Sequence, residues 1–216
     1  MTIKKYLSKH GCTILITLLF FVGASLRLYN FENRMIFGPE QGISLMTSAA
    51  NLTKFSLLGE INLQRATSAN HIPFHGATYS YLILPLVLLS NFRVLPITLF
   101  FAFLNLVTAF IFFKITKKLF GKMVAAFALF FFLVSDVMIH HSLFAWILNP
   151  LPLLGVLNLW YLIKLIKNRK LLLPVFWIGM MAGFGFGLQN LYLPFGVLML
   201  ALIIIFSHRK TLATAI

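Results

Sequence analysis

The sequence predicts an all-α, polytopic membrane protein: a helical bundle of about six transmembrane helices, with a long external first loop carrying surface helices. Three observations predict it. First, 60% of the 216 residues are hydrophobic, 10% are charged, and mean hydropathy is +0.94. A soluble domain carries roughly a quarter charged residues and could not hide so much apolar surface. Second, several apolar runs approach or exceed about 18 residues, the length that crosses a bilayer as a helix. The runs are continuous, whereas barrel strands alternate, so strands are not expected. Third, the basic residues behind the net charge of +14 sit in short clusters between those runs. That pattern fixes orientation in a bilayer and does not suggest a nucleic-acid partner.

The chain opens with Lys4, Lys5 and Lys9, then an apolar run over 12–28. A basic start and a greasy middle resemble a signal peptide. The run is long for one, and Gly23-Ala24-Ser25 is a weak cleavage site, so 12–28 reads as an uncleaved first span with its amino end inside. Residues 29–93 are far more polar and hold Glu32, Glu40 and Glu60, three of the four acids. Their apolar piece, 77–90, is interrupted by Pro85 and suits an interfacial or re-entrant helix. The remaining spans then fall at 95–113, 123–139, 144–163, 171–188 and 191–206.

Orientation decides whether 77–90 crosses. If it does not, Lys114, Lys117, Lys118 and Lys122 share the inner side with Lys164, Lys167, Arg169, Lys170, Arg209, Lys210 and the first three lysines. That places thirteen of the 18 basic residues inside and all the acids outside or at outer span ends. If it crosses, two four-charge loops face out. The positive-inside tendency therefore favours six spans and one long external loop.

Inside that loop, Pro39 followed by Glu40 marks a helix start, because proline suits the first helical position and an acid the first turn. Ile43, Met46 and Ala50 then form an apolar stripe, with Gln41, Ser44, Thr47, Ser48 and Asn51 between them. The helix is expected to lie along the outer membrane surface. Residues 58–76 read as loop, with a polar stretch from Gln64 through Arg65 to His71. Tyr79 and Tyr81 suit an interface. The single cysteine, Cys12, can form no internal disulfide.

Glu40 is the leading site candidate. An attacking hydroxyl needs a base within hydrogen-bond reach, and a partly dry membrane surface raises a carboxylate towards that task. The alternative is an acid placed only to suit the helix dipole. Candidate cations are Arg27, Arg34, Arg65 and Arg93, with His140 and His141; arginine donates two parallel bonds to a phosphate. For Arg27 the competing reading is snorkelling to the headgroups. Asp136 lies four residues before His140, on the same helix face, as a site pair or a simple interfacial pair. No strict ligand spacing supports a metal there. Gln189, Asn190 and Tyr192 line a cavity or cap two helices at a tight outer turn. No phosphate-binding loop, dinucleotide fingerprint or cysteine cluster is present.

These residues carry a resemblance to the GT-C membrane glycosyltransferases, nearest to the dolichyl-phosphate-mannose–protein mannosyltransferase-like and aminoarabinose-transferase-like families of bacteria. Those families open with a span ending in an Arg-Leu pair, as Leu26-Arg27-Leu28 does here. An acidic motif starts the surface helix, matched by Glu40-Gln41-Gly42. A Gly-Pro-Leu-Tyr-like lead-in is partly matched by Gly76-Ala77-Thr78-Tyr79-Ser80-Tyr81. Later outer turns correspond to the stretch from Ala145 to Asn149-Pro150 and to Gln189-Asn190-Leu191-Tyr192. Glu40 replaces the usual aspartate, the proline after Gly76 is absent, and Leu191 stands where histidine is expected. The arginine of the outer turn is missing, with His140 and His141 nearby.

The resemblance implies transfer of a sugar from a polyprenyl-phosphate carrier to a hydroxyl on a lipid, glycan or protein acceptor at the outer face of the membrane. Glu40 would be the base, and Arg27, Gln41, Arg65, Asp136, His140, Gln189 and Tyr192 would bind substrate. The resemblance fixes no cofactor, and a divalent metal is compatible with it. The expected setting is the bacterial plasma membrane, amino terminus cytoplasmic, with membrane lipids as neighbours. Residues 1–216 would form a single module, the front part of a longer protein. The competing reading is a non-catalytic transporter or assembly subunit. A transporter keeps its polar residues at mid-membrane on broken helices; here they gather at outer ends and in one loop.

Overall fold

The computed structural model describes residues 3–61, 74–167 and 172–214. They fold as helices α1 (Ile3–Leu28), α2 (Phe31–Arg34) and α3 (Pro39–Ala50), strands β1 (Leu58–Ile61) and β2 (Phe74–Gly76), then α4 (Thr78–Leu89), α5 (Val94–Val134), α6 (Asp136–His140), α7 (Leu151–Lys167), α8 (Leu172–Leu188), a 3-10 turn (Asn190–Tyr192) and α9 (Leu193–Thr214). The protein is mostly helical. The antiparallel β1–β2 pair, with Leu58 opposite Gly76 and Ile61 opposite Phe74, corrects the all-α expectation and the loop expected over 58–76. Gly59 and Gly76 bring the two backbones so close that a Cβ on Gly59 would collide with the Gly76 carbonyl.

The described chain falls into two compact units. The first holds α1, α2, α5 and α6. Its longest element, α5, is helical on both sides of Gly121, where the backbone takes φ 86° and ψ 175°. The Phe112 and Phe132 rings lie 5.7 Å apart. Twenty residues of straight helix would separate them by about 30 Å, so α5 doubles back at Gly121. The two limbs bury Ala109 and Phe113 against Ala125, Leu129 and Leu133, with Ile16, Leu19 and Phe20 of α1 packed alongside. Lys114, Lys117, Lys118 and Lys122 are exposed around the reversal. The sequence expectation of two apolar segments divided by a lysine cluster thus becomes helix running through the lysines to one glycine.

The expected span over 123–139 is corrected at its outer end. Ser135, at φ −59° and ψ 123°, breaks the helix, and α6 starts afresh at Asp136. The span expected over 144–163 is also corrected: residues 141–150 are turns, and helix resumes at Leu151. Those turns are anchored by the Ile36 N–H, which donates to Leu143 O at 2.9 Å.

The second unit holds α3, the β pair, α4 and the α7–α9 layer. Leu162 and Leu165 of α7 pack on Ile178 of α8 and Met199 of α9. Among the described residues one helical segment, Val94–Val134, is long and apolar enough to cross a membrane; Thr13–Leu28, Thr78–Leu89, Leu172–Leu188 and Leu193–Ile205 are shorter apolar helices. The 12 residues of α4 extend only about 18 Å, less than the roughly 30 Å hydrocarbon core.

Candidate functional site

Helix α3 starts at Pro39, as its sequence predicts. Gly38 precedes it, and the Gly38 N–H donates to Gln41 Oε1 at 2.6 Å. Gln41 is therefore engaged in capping its own helix. Beyond this turn α3 reverses the soluble-protein pattern. Gln41, Ser44 and Ser48 are buried, while Met46 is 74% exposed. The buried polar stripe is bonded throughout. Ser48 Oγ donates to Ser80 O at 2.8 Å, and Asn51 Nδ2 donates to Ser80 Oγ at 3.0 Å. Phe55, Leu57 and Leu58, which follow α3, are also exposed. A helix that turns serines inward and methionine outward suits an apolar exterior, consistent with the interface of a bilayer.

Ser44 joins this stripe to an acid that sequence reasoning did not select. Glu60, on β1, is only 7% exposed, and its Oε2 is bonded to the Ser44 hydroxyl. The same hydroxyl lies 3.0 Å from the backbone oxygen of Glu40. Burial pushes the Glu60 carboxyl up to about 7; the Ser44 bond works against that rise, and the nearby Glu40 charge adds to it. Ser44 is the donor in both contacts, and its single proton is shared between the Glu60 carboxyl and the Glu40 carbonyl. Glu40 itself is half-buried at the leading end of α3. The signal for Glu60 was available: it is one of four acids in a chain of 216 residues.

The other candidates separate. Gln189 Oε1 accepts from the Asn190 N–H at 3.1 Å and caps the 3-10 turn. The Tyr192 hydroxyl accepts from Asn158 Nδ2 at 3.0 Å. Gly76, at the end of β2, packs against the Gly187 backbone, two residues before Gln189. In the first unit Arg27 is 0% exposed, which rules out snorkelling. Its Nε donates to Asn105 Oδ1 at 3.0 Å, and its Nη1 donates to Gly23 O at 3.0 Å and Leu133 O at 2.8 Å. Those bonds tie α1 to both limbs of α5.

Asp136 and His140 are exposed at opposite ends of α6. Among the described residues no hydrogen bond or ion pair joins them. The His140 ring lies 5.1 Å from Phe144. Burial, and then the neighbouring His140, push His141 below its ordinary value. Arg65 and His71 lie outside the described residues. Among the described residues no group of three or more His, Cys, Asp or Glu is placed to hold a metal ion.

The chain is mostly helical, with a long apolar α5, and it sets Glu60 of β1 against the helix that carries Glu40. The chain belongs to the dolichyl-phosphate-mannose-protein mannosyltransferase family, whose pattern it matches over residues 75–216. It is thus a membrane glycosyltransferase of the GT-C type. The match begins after α3 and β1, so Glu40 and Glu60 precede it. No curated protein and no solved structure matches the chain significantly.

Proposed function

We propose that the protein moves a sugar from a polyprenyl-phosphate carrier to a hydroxyl of a lipid, glycan or protein acceptor at the outer face of the membrane, with Glu40 as general base. The observation that supports this reading is the cluster of Glu40 and Ser44, on a helix that turns its apolar side outward, with Glu60 of the adjoining β1. In the proposed step Glu40 takes the proton of the acceptor hydroxyl as its oxygen bonds to the sugar carbon. The bond from that carbon to the carrier phosphate breaks, and the phosphate leaves with the electron pair. Glu60 is a positioning residue. Through Ser44 it holds the helix that carries Glu40.

Arg65 is the cation we assign, from sequence, to the departing phosphate. Arg27 spends Nε and Nη1 on the protein and orders α1 and α5 instead, its buried Nη2 making no hydrogen bond among the described residues. The proposed placement crosses the bilayer about six times with the amino terminus inside. The α5 reversal, ringed by lysines, supports that placement on its inner side.

The test is transfer of label from a set of radiolabelled polyprenyl-phosphate sugars in membranes, with wild type beside Glu40→Gln. Loss of a positioned base costs about 10²- to 10⁴-fold. Full transfer by Glu40→Gln would remove Glu40 from the mechanism. No transfer from any donor by folded, inserted wild type would favour the non-catalytic reading.

A further inference from the structure

We propose that the groove at the carboxyl end of α1 is a binding site for an anionic phospholipid, its phosphodiester on Arg34 and one acyl chain along α1. The groove has a volume of about 450 Å³ and is lined by Phe21, Val22, Ser25, Leu26, Tyr29 and Arg34. Arg34 folds back over the helix end. Its Nη1 donates to Leu26 O at 2.8 Å and Tyr29 O at 3.3 Å. These are carbonyls that a helix terminus leaves unsatisfied, so the contacts hold the guanidinium in place. Among the described residues Nε and Nη2 of Arg34 make no hydrogen bond, and no carboxylate pairs with it. Glu32, on the same short helix, is included in that statement.

The head of the site is therefore a fixed guanidinium with two donors to spare, which is the geometry that takes two phosphate oxygens at once. The rest of the groove is hydrocarbon. Phe21 is 70% exposed, and Leu18, Val22 and Leu26 are exposed with it. Positions 18, 21, 22, 25, 26 and 29 recur at three and four residues and form one stripe. From residue 18 to residue 26 the stripe runs about 12 Å, enough to support much of an acyl chain. Tyr29 sits at the head end, where amphipathic rings meet headgroups.

The charge balance selects the lipid. The described lining contains one cation and no carboxylate, so an ammonium in the headgroup would find no anion there to pair with. A lipid with net negative charge neutralises Arg34; a zwitterion does not. The stripe is open along α1 rather than enclosed, which suits a bulk phospholipid over a polyprenyl-phosphate donor. This inference is independent of the proposed reaction.

Native mass spectrometry of the full chain in detergent tests it, with dioleoyl-phosphatidylglycerol and dioleoyl-phosphatidylcholine as probes. Wild type is expected to retain phosphatidylglycerol at least roughly tenfold better, because both lipids offer Arg34 the same phosphodiester but only phosphatidylcholine brings a second cation beside it. Arg34→Ala removes the head of the site, and Val22→Trp fills the groove while leaving Arg34 in place. Each is expected to abolish the preference. Equal retention of the two lipids by wild type overturns the proposal, as does a preference that survives in Val22→Trp. Displacement of phosphatidylglycerol by equimolar polyprenyl phosphate also overturns it and assigns the groove to the donor.

Discussion

The buried carboxyl of Glu60 is bonded to the hydroxyl of Ser44, and Ser44 sits one helical turn after Glu40. This contact couples the strand pair to the helix that carries the proposed base. It also makes the fold sensitive to pH. Burial holds the Glu60 carboxyl up at about 7, against an ordinary 4.5. Between those values the folded chain keeps a proton that the unfolded chain releases. Stability is therefore complete below about pH 4.5 and declines as pH rises through about 7, by roughly 3 kcal/mol at most. Thermal unfolding in detergent from pH 5 to pH 8 should show wild type losing Tm on the alkaline side. Glu60→Gln, which mimics the protonated carboxyl, should flatten that limb. A wild-type Tm that climbs across this range would contradict the raised carboxyl.

The same ionisation should appear in turnover. If transfer needs Glu60 as the carboxylate, the transfer rate rises with pH through about 7 in wild type. Glu60→Gln should retain partial activity with that rise removed. A rise that persists unchanged in Glu60→Gln would place the titrating group elsewhere.

Arg27 is expected to behave as a structural cation. Arg27→Ala would leave Asn105 Oδ1 and the Leu133 carbonyl without their donor, and a buried polar group left unsatisfied costs about 1–3 kcal/mol. Arg27→Lys keeps the charge but loses the fork, so its loss should be smaller. If Arg27 instead steadied the leaving phosphate, Arg27→Lys would impair transfer while leaving Tm unchanged.

What the sequence made legible was local. Pro39 and Glu40 announced α3 because proline and an early acid are short-range signals. The lysines from 114 to 122 marked the reversal in α5, but only the backbone shows the whole change of direction falling on Gly121. Ser135 interrupts helix with neither glycine nor proline to signal it. The burial of Arg27 depends on partners 78 and 106 positions away, and that of Glu60 on a serine 16 positions away. Hydropathy reports each of these charges as if it stood alone, so one was read as snorkelling or phosphate-binding and the other as loop.

Gly121 offers a direct test of the α5 reversal. Its φ of 86° with ψ of 175° is a backbone region that essentially only glycine occupies. A Cβ there would meet nothing within 4 Å, so substitution adds backbone strain and no clash. Gly121→Ala should lower stability by about 1–3 kcal/mol, read as a fall in Tm. A neutral substitution would mean that the chain does not turn at this residue.

Tyr192 and Asn158 decide whether the turn from Gln189 to Tyr192 binds substrate or holds helices together. Asn158 is fully buried, and its Nδ2 bonds the Tyr192 hydroxyl. Its Oδ1 has no hydrogen bond among the described residues. Tyr192→Phe leaves the buried amide with no partner for either end, at a cost of about 1–3 kcal/mol. Removing both ends restores what removing one has cost, because two apolar groups of similar shape leave nothing unsatisfied. The double variant Asn158→Leu/Tyr192→Phe should therefore recover most of the Tm that Tyr192→Phe loses. If Tyr192 also contacts substrate, the double variant will regain stability but keep a raised KM. Recovery of Tm and KM together would assign the pair to packing alone.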